Sequence, residues 1–494
     1  MSIAMPIPRF QRFLLPALLM LLATVARADD RPNILFLMAD DQRNDTLGCA
    51  GHPIIKTPNI DKLAAAGVRF ENMFVSNSIC WVSRATILTG QYCRSWGSPT
   101  QPDTIQPGNA DFIYPKVMKA AGYRTGFFGK WHAKMPPGFD KKAYFDAYQD
   151  ISRGPYFKKQ PDGSLRHETQ LIGDRGVDFL KSQPADQPFA LTLWFNAAHA
   201  EDGDKRPGIG HFPWPSEVDG MYEDITMPEP RLNDPQIYSS QPQHLKDSLN
   251  RQRYFWRWDT PEKYQTNMRA YFRMISGIDH VVGRLVEQLE NQGLADNTII
   301  VYTGDNGYYM GDRGFAGKWS HYEQSLRVPL IIYDPRLPKP RRGRVLDPMV
   351  INVDLAPTFL SWAGIEIPES YEGRSLVPLV NGDALRDWRE DFFCEHVFLA
   401  PTITWEGVRT QRYKYARYFD QQPAYEFLHD LSNDPDELVN LADSAEHADL
   451  LAKMRDRCDE LVNQYGGPLA PLEDRAKRRR APAKKKPAAK PAKK

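Results

Sequence analysis

The chain has 494 residues, 41% hydrophobic and 12% aromatic. That is enough to bury a sizeable core, as two to four domains or as one large α/β core with an appended domain. Its 63 basic and 62 acidic residues balance overall, but residues 475–494 hold eleven Lys/Arg and no acid, leaving 52 basic against 62 acidic groups on the other 474 residues. After the N-terminal segment no run is long and apolar enough to be a transmembrane helix, which excludes a bundle of membrane-spanning helices.

Arg9 and Arg12 precede the apolar run FLLPALLMLLAT (13–24), and Ala26-Arg27-Ala28 supplies an A-x-A cleavage site. Residues 1–28 therefore predict a signal peptide and an exported protein, periplasmic or secreted. Five cysteines (Cys49, Cys80, Cys93, Cys394, Cys458) leave at least one outside any intramolecular disulfide.

NILFLMADD (33–41) is a continuous apolar run ending in two aspartates, the pattern of a strand buried on both faces. TPNIDKLAAAGVRF (57–70) predicts a helix with Thr57 as cap, Pro58 in its first turn and Gly67 at its stop. Cys80 stands where another helix begins. Strand-like runs recur at YRTGFFGKWH (123–132), FALTLWFNAAH (189–199), NTIIVYTGDNG (297–307) and VPLIIYDP (328–335). Between them, residues 264–292 place Met268, Phe272, Ile275, Ile278, Val282, Leu285 and Leu289 at helical spacing. This alternation predicts an α/β fold with a large, mostly parallel sheet between helices. Residues 200–262, rich in Pro, Asp and aromatics, read as a long insertion over the sheet. From about 385 the pattern shortens into a smaller C-terminal α+β subdomain. The expected organisation is a catalytic domain over 29–384, that subdomain over 385–470, and a disordered basic tail over 471–494.

In open parallel sheets ligands gather beyond the carboxyl ends of the strands. Here Asp40 and Asp41 end one run, and Asp305 and Asn306 end another. Three carboxylates and an amide oxygen form a hard oxygen cage, suited to Ca²⁺ or Mg²⁺ rather than zinc. Lys130, His132, His199 and Lys318 follow other runs and would line a cationic cup for an anion with several oxygens.

Cys80-x-x-x-Arg84, followed by ATILTG, resembles the sulfatase signature C-x-[P/A]-x-R, in which the cysteine is oxidised to formylglycine; Val82 stands where the family has Pro or Ala. RPNILFLMADDQRNDTLGCAG, GKWH, TGDNG, GKWSHYEQSLRVPLII and YEFLHDLSNDPDELVNL are similar to further blocks of that family, in order, over residues 31–445. The resemblance implies an alkaline-phosphatase-like fold and one Ca²⁺, preferred over Mg²⁺, held by Asp40, Asp41, Asp305, Asn306 and the modified Cys80. It implies that Arg84 holds the formylglycine and that Lys130, His132, His199 and Lys318 bind the sulfate. In the hydrated aldehyde one hydroxyl attacks sulfur, and loss of the other's proton expels the bound sulfate, a second step that serine or cysteine cannot make. The expected activity is hydrolysis of sulfate monoesters, on carbohydrates given export and the aromatics Trp214, Phe255, Trp256 and Trp258. The expected partners are a sulfated small molecule or glycan, the formylglycine-generating machinery, and a polyanion at the basic tail. Two alternatives stand beside it: a phosphonate or phosphate ester hydrolase at the same site, or an inactive polyanion binder with Cys80 left unmodified.

Overall fold

A computed structural model describes residues 31–99, 101–203, 211–383, 387–398 and 403–475. The predicted signal peptide lies outside the described residues, as do positions 476–494 of the predicted tail and the 384/385 boundary. Of the tail predicted from 471, residues 471–475 belong to the described fold: Arg475 is buried, with Nη2 donating to Asp420 Oδ1 at 2.8 Å.

Eight strands build the main sheet: β1 (Asn33–Ala39), β2 (Val68–Phe70), β3 (Arg124–Gly129), β4 (Ala147–Asp150), β5 (Phe189–Trp194), β6 (Thr298–Gly304), β7 (Leu330–Tyr333) and β8 (Arg344–Leu346). Their spatial order is β8-β2-β7-β6-β1-β5-β3-β4. The sheet is mostly parallel, as expected. The exception is β7, which runs antiparallel to both β6 and β2. The helices that matter for the site are α1 (Pro58–Ala66), α2 (Cys80–Thr89), α3 (Glu168–Lys181), α4 (Leu249–Arg257), α5 (Pro261–Asn291) and α6 (Leu355–Trp362).

Every residue of β1, β5 and β6 is buried, which is why these strands read as unbroken apolar runs rather than alternating ones. The alternation is hidden in the two cores. Ile34, Phe36 and Met38 face one hydrophobic cluster, with Val82 and Leu88 of α2 and Phe359 of α6. Leu35, Leu37 and Ala39 face the other, with Ile172 of α3 and Phe272, Ile278 and Leu285 of α5. All seven apolar positions predicted along α5 are buried. Thr260 caps that helix, accepting from the Lys263 amide, and Pro261 opens it. Thr57 precedes α1 as expected, but its hydroxyl accepts from the Gly48 amide at 2.9 Å instead of capping its own helix.

A second sheet follows, antiparallel and four-stranded: β9 (Asp391–His396), β10 (Trp405–Thr410), β11 (Tyr413–Tyr418) and β12 (Tyr425–Asp430). Helix α7 (Ala448–Gln464) packs on it. Buried Arg94 ties this unit to the first, donating from Nε to Glu395 Oε2 at 2.6 Å and pairing with Glu406. All five cysteines are free thiols.

His321, His429 and Glu437 come within metal-ligand reach of one another. Their hydrogen bonds, however, close without an ion. Tyr418 donates its hydroxyl to His321 Nδ1 (2.9 Å), His321 Nε2 meets His429 Nε2 (3.3 Å), and His429 Nδ1 donates to the Val439 carbonyl (2.9 Å). Glu437 pairs with Lys414 at 2.6 Å. That chain requires both imidazoles neutral. Burial, then Lys414, pulls His429 down to about 3; burial, then His429, pulls His321 well below its usual value. In the unfolded chain each titrates near 6.5. Below that pH the unfolded state takes up protons that the fold refuses, so stability falls with pH. The expected loss is about 1.4 kcal/mol per pH unit and per histidine. Chemical denaturation at pH 7 and pH 5 checks this, and an unmoved midpoint would count against it.

Candidate active site

The parallel register brings the catalytic candidates together. Ala39 of β1 lies opposite Gly304 of β6, Met38 opposite Trp194 of β5, and Trp194 opposite Gly129 of β3. The residues just beyond these four strand ends therefore emerge side by side at one edge of the sheet. Backbone bonds continue past the ends: the Asp40 amide donates to Ala197 (2.8 Å) and the Asp305 amide to Ala39 (3.0 Å). Gly129 has a φ of +120°, and a Cβ there would lie 2.0 Å from the Trp194 carbonyl oxygen. Only glycine allows that approach, and the Lys130 amide donates to the same oxygen at 2.9 Å. Asp41, His132 and Trp319 hold left-handed φ values of 55°, 56° and 79°, unusual for residues with side chains and gathered at one place.

Arg84, fully buried on α2, is the hub. Its Nε donates to Asp305 Oδ2 (2.8 Å), Nη1 to the Lys130 carbonyl (2.6 Å) and Nη2 to Asp40 Oδ2 (3.2 Å). Lys130 pairs with Asp40, and Lys318 pairs with Asp41. Asn306 Nδ2 donates to Asp41 Oδ1 (2.6 Å), which turns its own Oδ1 away from that bond. Cys80 Sγ lies 3.4 Å from His132 Nδ1. His199 Nδ1 lies 2.7 Å from the Ala200 carbonyl and against Arg153 Nη1, and its Nε2 is 3.7 Å from Asp41 Oδ2. Thus the structure brings Asp40, Asp41, Cys80, Arg84, Lys130, His132, His199, Asp305, Asn306 and Lys318 into one site.

The electrostatics are those of an anion-and-cation pocket. Burial pushes the Asp40 carboxyl up, but Lys130, Lys318 and Arg84 outweigh it and hold Asp40 well below the carboxylate range. Burial and the charge of Asp40 push Asp305 up to about 7. Burial, with Lys130 and Arg84, lowers His132 to about 3; burial, with Arg153 and Lys318, holds His199 well below its usual value. Both imidazoles are neutral at pH 7. Among the described residues, three of the candidate metal ligands each keep a buried oxygen with no hydrogen-bond partner: Asp40 Oδ1, Asp41 Oδ2 and Asn306 Oδ1. Ligand atoms of Asp40, Cys80 and Asp305 lie within 4.8 Å of one another. Unpartnered hard oxygens beside a carboxylate forced upward by its neighbour fit a divalent cation of the Ca²⁺ or Mg²⁺ kind.

A cavity of about 470 Å³ opens over this floor, lined by Cys80, Lys130, His132, His199 and Lys318 together with Trp81, Arg153, Arg253 and Trp319. The last four were missed in the sequence. Trp81 and Trp319 sit inside the signature and GKWSHYEQ blocks and could have been noticed; Arg153 and Arg253 lie in segments without a motif. Of the aromatics expected to meet a sugar, Trp258 is instead packed in the core, and Trp214 sits under Arg273. Phe255 and Trp256 are exposed on α4.

Residues 32–365 match the family described as Sulfatase. The chain belongs to the sulfatase family. Residues 311–464 of this sulfatase also match the unit described as N-sulphoglucosamine sulphohydrolase, C-terminal. It is 30% identical to N-acetylglucosamine-6-O-sulfatase of Bacteroides thetaiotaomicron, across 88% of its own chain and 87% of that relative. It resembles a structure solved with its substrate D-glucosamine-2-N,6-O-disulfate, at 28% identity and a TM-score of 0.72, covering 88% and 98% of the two chains. Phosphonate monoester hydrolase of Agrobacterium radiobacter shares the fold, at 24% identity and a TM-score of 0.73, with 88% and 96% covered. The sulfatase is a hydrolase of sulfuric esters.

Proposed function

We propose that this sulfatase cleaves sulfate monoesters on carbohydrates, with Cys80 matured to formylglycine and one divalent cation, Ca²⁺ ahead of Mg²⁺, in the pocket of Asp40, Asp41, Asp305 and Asn306. The observation that carries the reading is the set of three buried, unpartnered oxygens beside Cys80. The cation supplies charge that offsets the negative oxygens around sulfur. Formylglycine, once hydrated, would supply the attacking oxygen and a second hydroxyl whose loss of a proton expels the sulfate held on the first. Arg84 positions residue 80 against the metal pocket, Lys130 and Lys318 hold sulfate oxygens, and neutral His132 and His199 are placed to accept or return a proton near the leaving alcohol. Residue 80 opens α2, whose N-terminus carries no side-chain cap, and a helix start favours a nearby anion.

The proposed chain is exported after loss of residues 1–28, has a catalytic unit over 29–384 and a smaller unit over 385–470, and uses its basic C-terminus to stay near polyanions. Among the described residues no helix is long and apolar enough to cross a membrane. The test is sulfate release from sulfated sugars and from an aryl sulfate, beside phosphate and phosphonate esters of the same leaving group. Sulfate esters should be turned over faster by at least about tenfold, a difference near 1.4 kcal/mol in the barrier. Faster phosphonate cleavage would move the enzyme to that second class.

A further inference from the structure

The cavity over Cys80 holds more positive charge than one sulfate ester needs. In its floor Asp40, Asp41 and Asp305 are matched by Lys130, Lys318 and Arg84. A divalent cation added to that balanced set already offsets a sulfate monoester and an oxygen nucleophile. Arg153 and Arg253 line the same cavity outside the set, as does Asp150, whose charge is met by Lys141 at 3.2 Å. Among the described residues no carboxylate pairs with Arg153, whose Nη1 contacts both ring nitrogens of His199, Nδ1 and, at 3.0 Å, Nε2. Arg253 donates from Nη2 to Asp202 Oδ2 at 3.1 Å, but Asp202 is shared with fully buried Arg257 one turn along α4. One carboxylate thus serves two guanidinium groups. Among the described residues, Arg253 Nε and Arg257 Nε and Nη1 are buried without a hydrogen-bond partner. Bare guanidinium edges in a buried place are costly, and their fork fits a carboxylate or a sulfate in two-point contact. The walls suit a ring: Arg253 lies 4.9 Å over Trp319, Trp81 lines the same cavity, and Trp256 is exposed one turn along α4 from Arg253.

We propose that Arg153 and Arg253 form a second anion subsite, so that the substrate is a sugar carrying another sulfate or a carboxylate beside the sulfate that is cleaved. The proposal rests on the sulfatase reading above. Its test compares kcat/KM on sulfated monosaccharides, each paired with the same sugar bearing a second sulfate or a carboxylate, and on a neutral aryl monosulfate. The natural chain should prefer the doubly anionic sugar by about tenfold or more. Arg253→Gln should erase most of that preference, mainly through KM, and Arg253→Lys should restore part of it. Asp202→Asn, which removes the competing carboxylate, should raise the preference. The sulfate and carboxylate arms tell which second anion fits. Thermal melting confirms that each variant is folded. Equal losses on singly and doubly anionic substrates, or no preference in the natural chain, would overturn the subsite. Should no sulfate ester be turned over, the activity proposal fails by itself. Calorimetric binding of the mono- and disulfated sugars to the natural chain and to Arg253→Gln then decides the subsite: a preference lost in the variant supports it, and equal affinities overturn it.

Discussion

Replacing Cys80 with alanine is expected to lower sulfate-ester turnover by about 10⁴-fold or more, the scale seen when a covalent nucleophile is removed. The fold should survive. Only the sulfur atom is lost from the N-terminus of α2, and Sγ contacts the cavity and His132 rather than the core. A stability change on the order of 1 kcal/mol is expected. Cys80→Ser separates chemistry from packing. A serine hydroxyl can attack sulfur but has no second hydroxyl with which to expel the sulfate, so the variant should gain about 80 Da on exposure to substrate and stop. The natural chain should yield a peptide over residue 80 about 18 Da lighter than the cysteine form. An unmodified thiol together with no turnover would instead assign the chain to polyanion binding, a reading kept open by Val82, which is fully buried in the core beneath α2.

Removing the divalent cation should abolish turnover and lower the melting temperature together. With the cation at about a thousandfold excess over its dissociation constant, binding to the folded state alone adds about 4 kcal/mol. The chain loses more than a ligand when the cation goes. Asp40, Asp41 and Asp305 are left close together at zero or near-zero exposure, with three oxygens lacking any partner. Chelation followed by calcium or magnesium, read by thermal melting, checks the effect without an activity assay. Asn306→Ala should require more calcium for the same stabilisation, because it deletes one unpartnered oxygen and also frees the Asp41 oxygen that Asn306 orients. Identical melting with chelator and with calcium would sink the cation pocket.

Much of the site was legible because it is built on strand ends. A strand buried on both faces must be written as an apolar run, so the first polar residue after it stands out; Asp40, Lys130 and Asp305 each follow such a run directly. Arg84 became legible through its spacing from Cys80. The direction of β7 was not legible, because a four-residue buried strand carries no mark of polarity. Arg153 and Arg253 were hidden for another reason: their importance comes from what fails to pair with them, and sequence order says nothing about that. Trp258 misled because an aromatic in a polar, proline-rich segment reads as surface, whereas it lies against Phe212 and Tyr308 in the core. Packing over the sheet turned part of the insertion predicted over 200–262 into ordinary core.

Within α2, Val82, Ser83 and Arg84 are all fully buried, and Arg84 is locked to three separate stretches of chain. A small molecule can reach the side chain at position 80 through the cavity, but another protein cannot grip the backbone around it once those contacts have closed. Any enzyme that oxidises this cysteine by recognising its neighbours must act on the nascent or unfolded chain. If Cys80 is oxidised in that way, its maturation is a race against folding, and conditions that slow collapse around the helix should raise the yield of modified chain.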